Sequence, residues 1–66
     1  MRIVVNAQER EIKEGETLLG LIETLGITDK VMAAAVNMKI IKKEKWSEYT
    51  LSDGEKVELL HFVGGG

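Results

Sequence analysis

The sequence predicts an α+β fold, a mixed sheet of four to five strands with one main helix packed on one face. Three observations lead there. Arg2-Ile3-Val4-Val5 alternates in the manner of a half-buried strand, with Ile3 and Val5 on one side. Leu18, Leu21, Ile22 and Leu25 fall at i, i+3, i+4 and i+7, which is a single apolar helical stripe. Val57 and Leu59 share one parity while Lys56 and Glu58 share the other, so the chain returns to a strand near its carboxyl end.

Between these landmarks the elements follow in order. Residues 1–6 form the first strand and a turn near Asn6 to Gln8 reverses it. Glu9 to Lys13 carries charge around Ile12, which suits a short edge strand paired back on the first. Thr17 is a good N-cap for the helix, and Gly26 stands where a left-handed residue ends one. Gly20 inside the helix costs about 1 kcal/mol relative to Ala, so the helix needs a sheet to lie on. Leu19, off the stripe, is expected to be partly exposed. Met32 to Val36 and Ile40-Ile41 read as two further strands around a turn at Asn37-Met38-Lys39. Met38 is a weak turn residue, and a positive φ there would cost on the order of 1–2 kcal/mol, which leaves the turn type open. Lys42 to Tyr49 reads as a short helical turn anchored by Trp46, and Ser52-Asp53-Gly54 is a turn before the last strand, Lys56 to Val63. Strand, strand, helix, strand, short strand, turn, strand fits a β-grasp roll, in which the first and last strands run parallel at the sheet centre.

Composition narrows the function. Sixty-six residues and 7.3 kDa support one core, and a domain of this size buries only roughly 60% of its unfolded surface. A deep substrate pocket is not expected. Nine Lys+Arg against eleven Asp+Glu give a net charge of −2, which argues against nucleic acid as the main partner. Cysteine is absent, which excludes a disulfide framework, a thiolate nucleophile and sulfur ligands, and a single histidine does not make a metal site. The opening apolar run of three is too short for a secretory signal and no stretch approaches a membrane span, so a cytoplasmic protein without a membrane partner is expected.

The chain divides into a domain over residues 1–63 and a tail, Gly64-Gly65-Gly66. Three consecutive glycines lose the most backbone entropy on folding and bury nothing, so stability does not explain them. A linker or a frayed end is the ordinary account of such a stretch. The alternative is that Gly64 and Gly65 thread a partner's active site and present the Gly66 carboxylate. Four extended steps from Phe62 to Gly66 span about 13 Å, and the missing side chains permit a narrow channel. Leu60 and Phe62 continue the solvent-facing parity of Lys56 and Glu58, an apolar docking patch ahead of the tail. A strand twist or bulge would instead turn both into the core. His61 shares the parity of Val57 and Leu59 and is expected to be a half-buried structural residue. Lys39, Lys42, Lys43 and Lys45 read as a solvated basic face.

Met1-Arg2-Ile3-Val4-Val5-Asn6, Gly15-Glu16-Thr17-Leu18-Leu19, Ala34-Ala35-Val36-Asn37 with Ile40-Ile41, Lys45-Trp46, and Asp53-Gly54-Glu55-Lys56-Val57-Glu58-Leu59 running into His61-Phe62-Val63-Gly64-Gly65-Gly66 together carry a family resemblance over essentially the whole chain. The sequence resembles the ThiS family of sulfur carriers for thiazole formation in thiamine biosynthesis, within the wider ubiquitin-like group. It departs in having Met38 where a glycine is usual after Asn37, and Lys42 and Lys43 where a proline and a basic residue are common. The resemblance implies a protein cosubstrate with no stably bound cofactor and no catalytic residue of its own. An E1-like adenylyltransferase would use ATP to adenylate Gly66. A sulfur donor system would convert the acyl-adenylate to a thiocarboxylate, and thiazole synthase would take the sulfur. A carrier like the small subunit of molybdopterin synthase, a ubiquitin-like modifier joined to lysines through Gly66, and an interaction module with an inert tail are the alternatives.

Overall fold

The computed structural model describes residues 1–61. Its elements are β1 (Arg2–Val5), β2 (Gln8–Glu11), α1 (Leu18–Leu25), β3 (Val31–Val36), β4 (Lys39–Ile41), a 3₁₀ turn (Lys43–Lys45) and β5 (Lys56–His61). The sheet runs in the order β2-β1-β5-β3-β4. β1 and β5 are parallel, and the other neighbours are antiparallel. This is the β-grasp arrangement read from the order of elements, with five strands among the described residues. The boundary expected between residues 63 and 64 lies outside them.

The alternation in β1 settles its faces: Ile3 and Val5 are buried and Arg2 is exposed. Asn6 and Ala7 then adopt φ of 48° and 71°, the left-handed pair that matches a two-residue hairpin to the strand twist. That tight loop makes Val5 and Gln8 the closing pair. β2 therefore begins at Gln8, not at Glu9, and Ile12 enters the core just beyond its end. The four residues of β2 are all exposed, a charged and short edge of the kind that resists pairing with other chains.

Thr17 caps α1 from an extended conformation, its Oγ1 accepting a hydrogen bond from the Gly20 N–H at 3.0 Å. Gly26 ends the helix at φ 73°, donating its N–H to the Glu23 carbonyl at 3.0 Å. A side chain at Gly20 would place its Cβ 2.7 Å from Glu16 Oε1 and 3.2 Å from the capping oxygen. The helical glycine thus makes room for the cap. Leu18, Leu21 and Ile22 face the sheet, while Leu19 and Leu25 are half-buried against the same core. Their partners include Ile3, Val5, Ala34, Val36, Val57 and Leu59 from β1, β3 and β5.

Two further residues close the core from the irregular segment. Trp46 is 2% exposed and donates its indole N–H to the Ile41 carbonyl at 2.9 Å, so the large ring is buried with its polar atom satisfied. Leu51 is equally buried, and its N–H bonds the Glu16 carbonyl at 2.8 Å. The turn between β3 and β4 places Asn37 at φ 50° and Met38 at φ 73°, which settles the turn type the sequence left open. β3 starts one residue earlier than the apolar run, at Val31, with a register irregularity between Val31 and Ala33.

Candidate functional site at the end of the last strand

β5 is the central strand, and its faces are as the parity of the sequence indicated. Val57 is fully buried, Leu59 is buried, and Lys56 and Glu58 are exposed. Leu60 is 61% exposed, on the sheet face opposite the helix. The bulge that would have turned Leu60 inward does exist, but it lies in the neighbouring β3 opposite the end of β5. His61 is half-buried, as expected. Phe62, Gly64, Gly65 and Gly66 lie outside the described residues. Of the expected docking pair, Leu60 alone lies among the described residues, and it is exposed.

Around Leu60 the open face is apolar and shallow. Ala33 and Ala35 floor a groove flanked by Ile40 from β4 and Leu60 from β5, with Glu58 at its side. The register explains this: Ala35 stands between Ile40 and Glu58, and Ala33 is opposite Leu60. Small residues on the middle strand leave the larger flanking side chains standing above it.

Polar side chains fix β5 along its length. At its start, Asn37 accepts the Lys56 N–H on Oδ1 at 3.0 Å while its own N–H donates to the Lys56 carbonyl at 2.8 Å. Glu55 just ahead accepts from the Ser52 N–H at 2.7 Å and from the Tyr49 hydroxyl at 2.9 Å. Burial, together with that hydrogen bond and the Glu55 charge, raises the Tyr49 hydroxyl above its ordinary value. Further along, the Asn6 carboxamide pairs with both backbone polar groups of Leu59. Its Oδ1 accepts the Leu59 N–H at 2.8 Å and its Nδ2 donates to the Leu59 carbonyl at 3.1 Å. The sequence reading used both asparagines as turn signals and missed these bonds. The available signal was an asparagine at each hairpin bend, a residue that tolerates left-handed backbone and carries one donor and one acceptor.

Among the described residues no group of three or more acidic, histidine or cysteine side chains is placed to hold a metal ion. The sequence reading placed the reactive group in the run from β5 toward the glycines. The ThiS family model matches residues 3–66, a span that includes that run. The chain belongs to the ThiS family. It is 30% identical to the sulfur carrier protein ThiS of Escherichia coli K12 over 66 residues, covering both chains completely. It is 32% identical over 66 residues to a thiazole synthase of Paramagnetospirillum magneticum, where it matches all of this chain and 20% of that protein. The chain thus spans about a fifth of that relative's length. In three dimensions it resembles the crystal structure of the thiamine biosynthesis protein ThiS from Geobacter metallireducens, with a TM-score of 0.78 and 27% identity over the full length of both chains. The β-grasp fold is that of the ThiS family, and Met38 occupies its hairpin in the strained backbone that a glycine would accept freely.

Proposed function

We propose that this chain is a sulfur carrier of thiamine biosynthesis, acting in the cytoplasm as a cosubstrate and not as an enzyme. The observation that carries the reading is the family match running through Gly66, on a body whose last described strand is anchored by its neighbours and exposes Leu60 a few positions ahead of the glycines in sequence. A carboxylate is a poor electrophile because it is already anionic, so it needs a leaving group. In the proposed sequence the Gly66 carboxylate attacks the α-phosphate of ATP on an E1-like adenylyltransferase, giving the acyl-adenylate and pyrophosphate. Hydrosulfide released by the donor system then adds to the acyl carbon and AMP leaves with the electron pair of the bond it held, giving the thiocarboxylate. Thiazole synthase takes that sulfur, a partnership supported by relatives named thiazole synthase that contain a matching segment. ATP binds the partner. Gly64 and Gly65 supply the narrow approach, and Leu60, with Phe62, docks the body.

Intact mass spectrometry of the protein from its native cells tests this. The expected product is a chain in which one oxygen is exchanged for sulfur, and deletion of Gly66 abolishes the exchange while leaving the thermal midpoint unchanged. Leu60→Asp is expected to raise the KM of the adenylating enzyme for the carrier by about tenfold or more, the range of an interface anchor, without unfolding the domain. Isopeptide conjugates through Gly66 would instead establish a protein modifier. A thiocarboxylate delivered to a pterin precursor would establish a carrier of the molybdopterin type.

A further inference from the structure

The parallel pairing of β1 with β5 is short. It consists of Val4 with Lys56 and Val5 with Val57, and its last main-chain bond runs from the Asn6 N–H to the Val57 carbonyl at 2.9 Å. There β1 turns away into the hairpin at Asn6 and Ala7. The next inward-facing backbone groups of β5, those of Leu59, meet the Asn6 carboxamide in place of a strand, at 2.8 and 3.1 Å. A side chain thus imitates one more peptide unit and extends the ladder by two residues. On the other flank the ladder from β3 reaches His61 only after the irregularity between Val31 and Ala33. The Asn6 bonds to Leu59 thus lie seven positions before Gly66.

We propose that Asn6 is a positioning residue for the carboxyl-terminal carboxylate, fixing the place and heading of the end of β5 so that Gly66 arrives in register at the partner's nucleotide. This rests on the sulfur-carrier reading. The chemistry of the residue suits the role specifically. Leu59 offers one donor and one acceptor, and a carboxamide answers both, whereas a carboxylate answers the donor and opposes the Leu59 carbonyl. Docking through Leu60 uses its exposed side chain, whereas the clamp holds the Leu59 main chain, although Asn6 borders the same groove as Leu60. Loss of the clamp is therefore expected to act on the chemical step rather than on encounter. Errors of about 1 Å in the placement of a reacting group lower rates by on the order of 100-fold.

Asn6→Gly isolates the clamp, since glycine keeps the φ of 48° without strain. Asn6→Asp keeps the size of the side chain and the bond to the Leu59 N–H. The assay is carrier-dependent pyrophosphate release by the cognate adenylating enzyme, with amide hydrogen exchange at Leu59 as the local readout. For N6G the expected result is a kcat lower by about 10- to 100-fold at unchanged KM, with Leu59 exchanging about tenfold faster or more. N6D is expected to lose kcat in the same direction. A wild-type kcat in folded N6G, or a rise in KM alone, overturns the positioning role. If N6G fails to fold, N6D decides by the same criterion, a wild-type kcat again overturning the role. Absence of any carrier-dependent pyrophosphate release with the wild-type chain overturns the sulfur-carrier reading itself, a result distinct from failure of the clamp.

Discussion

Replacing Met38 by glycine should stabilise this domain, although it removes a large apolar side chain. Met38 sits at φ 73° as the second residue of the two-residue hairpin that closes Val36 on Lys39. A non-glycine residue in that left-handed region costs about 1–2 kcal/mol. Glycine brings extra freedom to the unfolded chain, which offsets about 0.5–1 kcal/mol of the gain. Packing adds little to the balance, because Met38 is 77% exposed. The net gain therefore lies within about 0–1.5 kcal/mol, and its middle value of about 0.75 kcal/mol raises the thermal midpoint of a domain of this size by about 3–6 °C. Urea denaturation followed by circular dichroism gives the companion measurement, with a higher midpoint and an unchanged slope. A midpoint that falls would refute the reasoning, because it would mean that the methionine contributes more through contacts than its backbone costs.

Trp46→Ala should bring the domain close to unfolding. The ring is almost fully buried and its N–H serves the Ile41 carbonyl. The loss of about 3–5 kcal/mol compares with a total stability of roughly 3–10 kcal/mol for a chain of this length, and a urea titration should show a large loss of midpoint. The second concerns acid. A hydrogen bond from the Met1 ammonium, its charge, and Arg2 hold the Glu11 carboxylate below its ordinary value of 4.5. A carboxylate with a depressed folded pKa adds stability above that value and loses it as the pH falls through the lower one. Glu11→Gln should flatten the acid side of the thermal-midpoint profile below pH 4.5. The effect is small because the pair is exposed, and added salt should shrink it further.

Much of this architecture was legible because local and long-range signals agree. Thr17 and Gly26 bracket a stripe of four apolar residues, and each takes the capping geometry its chemistry favours. The parity of Lys56 and Glu58 placed Leu60 on the surface because charge alternation leaves a strand one register that buries its apolar face. Other features depend on what the fold brings near. The Asn6 clamp joins residues 53 apart, and nothing adjacent to Asn6 indicates which backbone its carboxamide meets. Leu51 stands alone between polar neighbours and becomes core because its N–H finds Glu16. At Met38 the sequence held two turn types in balance, and the closing pair of β3 with β4 selected the strained one.

The position of β5 at the middle of the sheet has a consequence for biosynthesis. The strand that β1 and β3 both require is the last described element to leave the ribosome, and the contacts that lock it, Arg2 with Asp53 and Asn6 with Leu59, span most of the polypeptide. Such distant closures are slow and form late. A nascent chain interrupted before that strand has edges and a helix but no centre to assemble around, so premature termination yields unstructured material for proteolysis instead of a well-formed truncated domain.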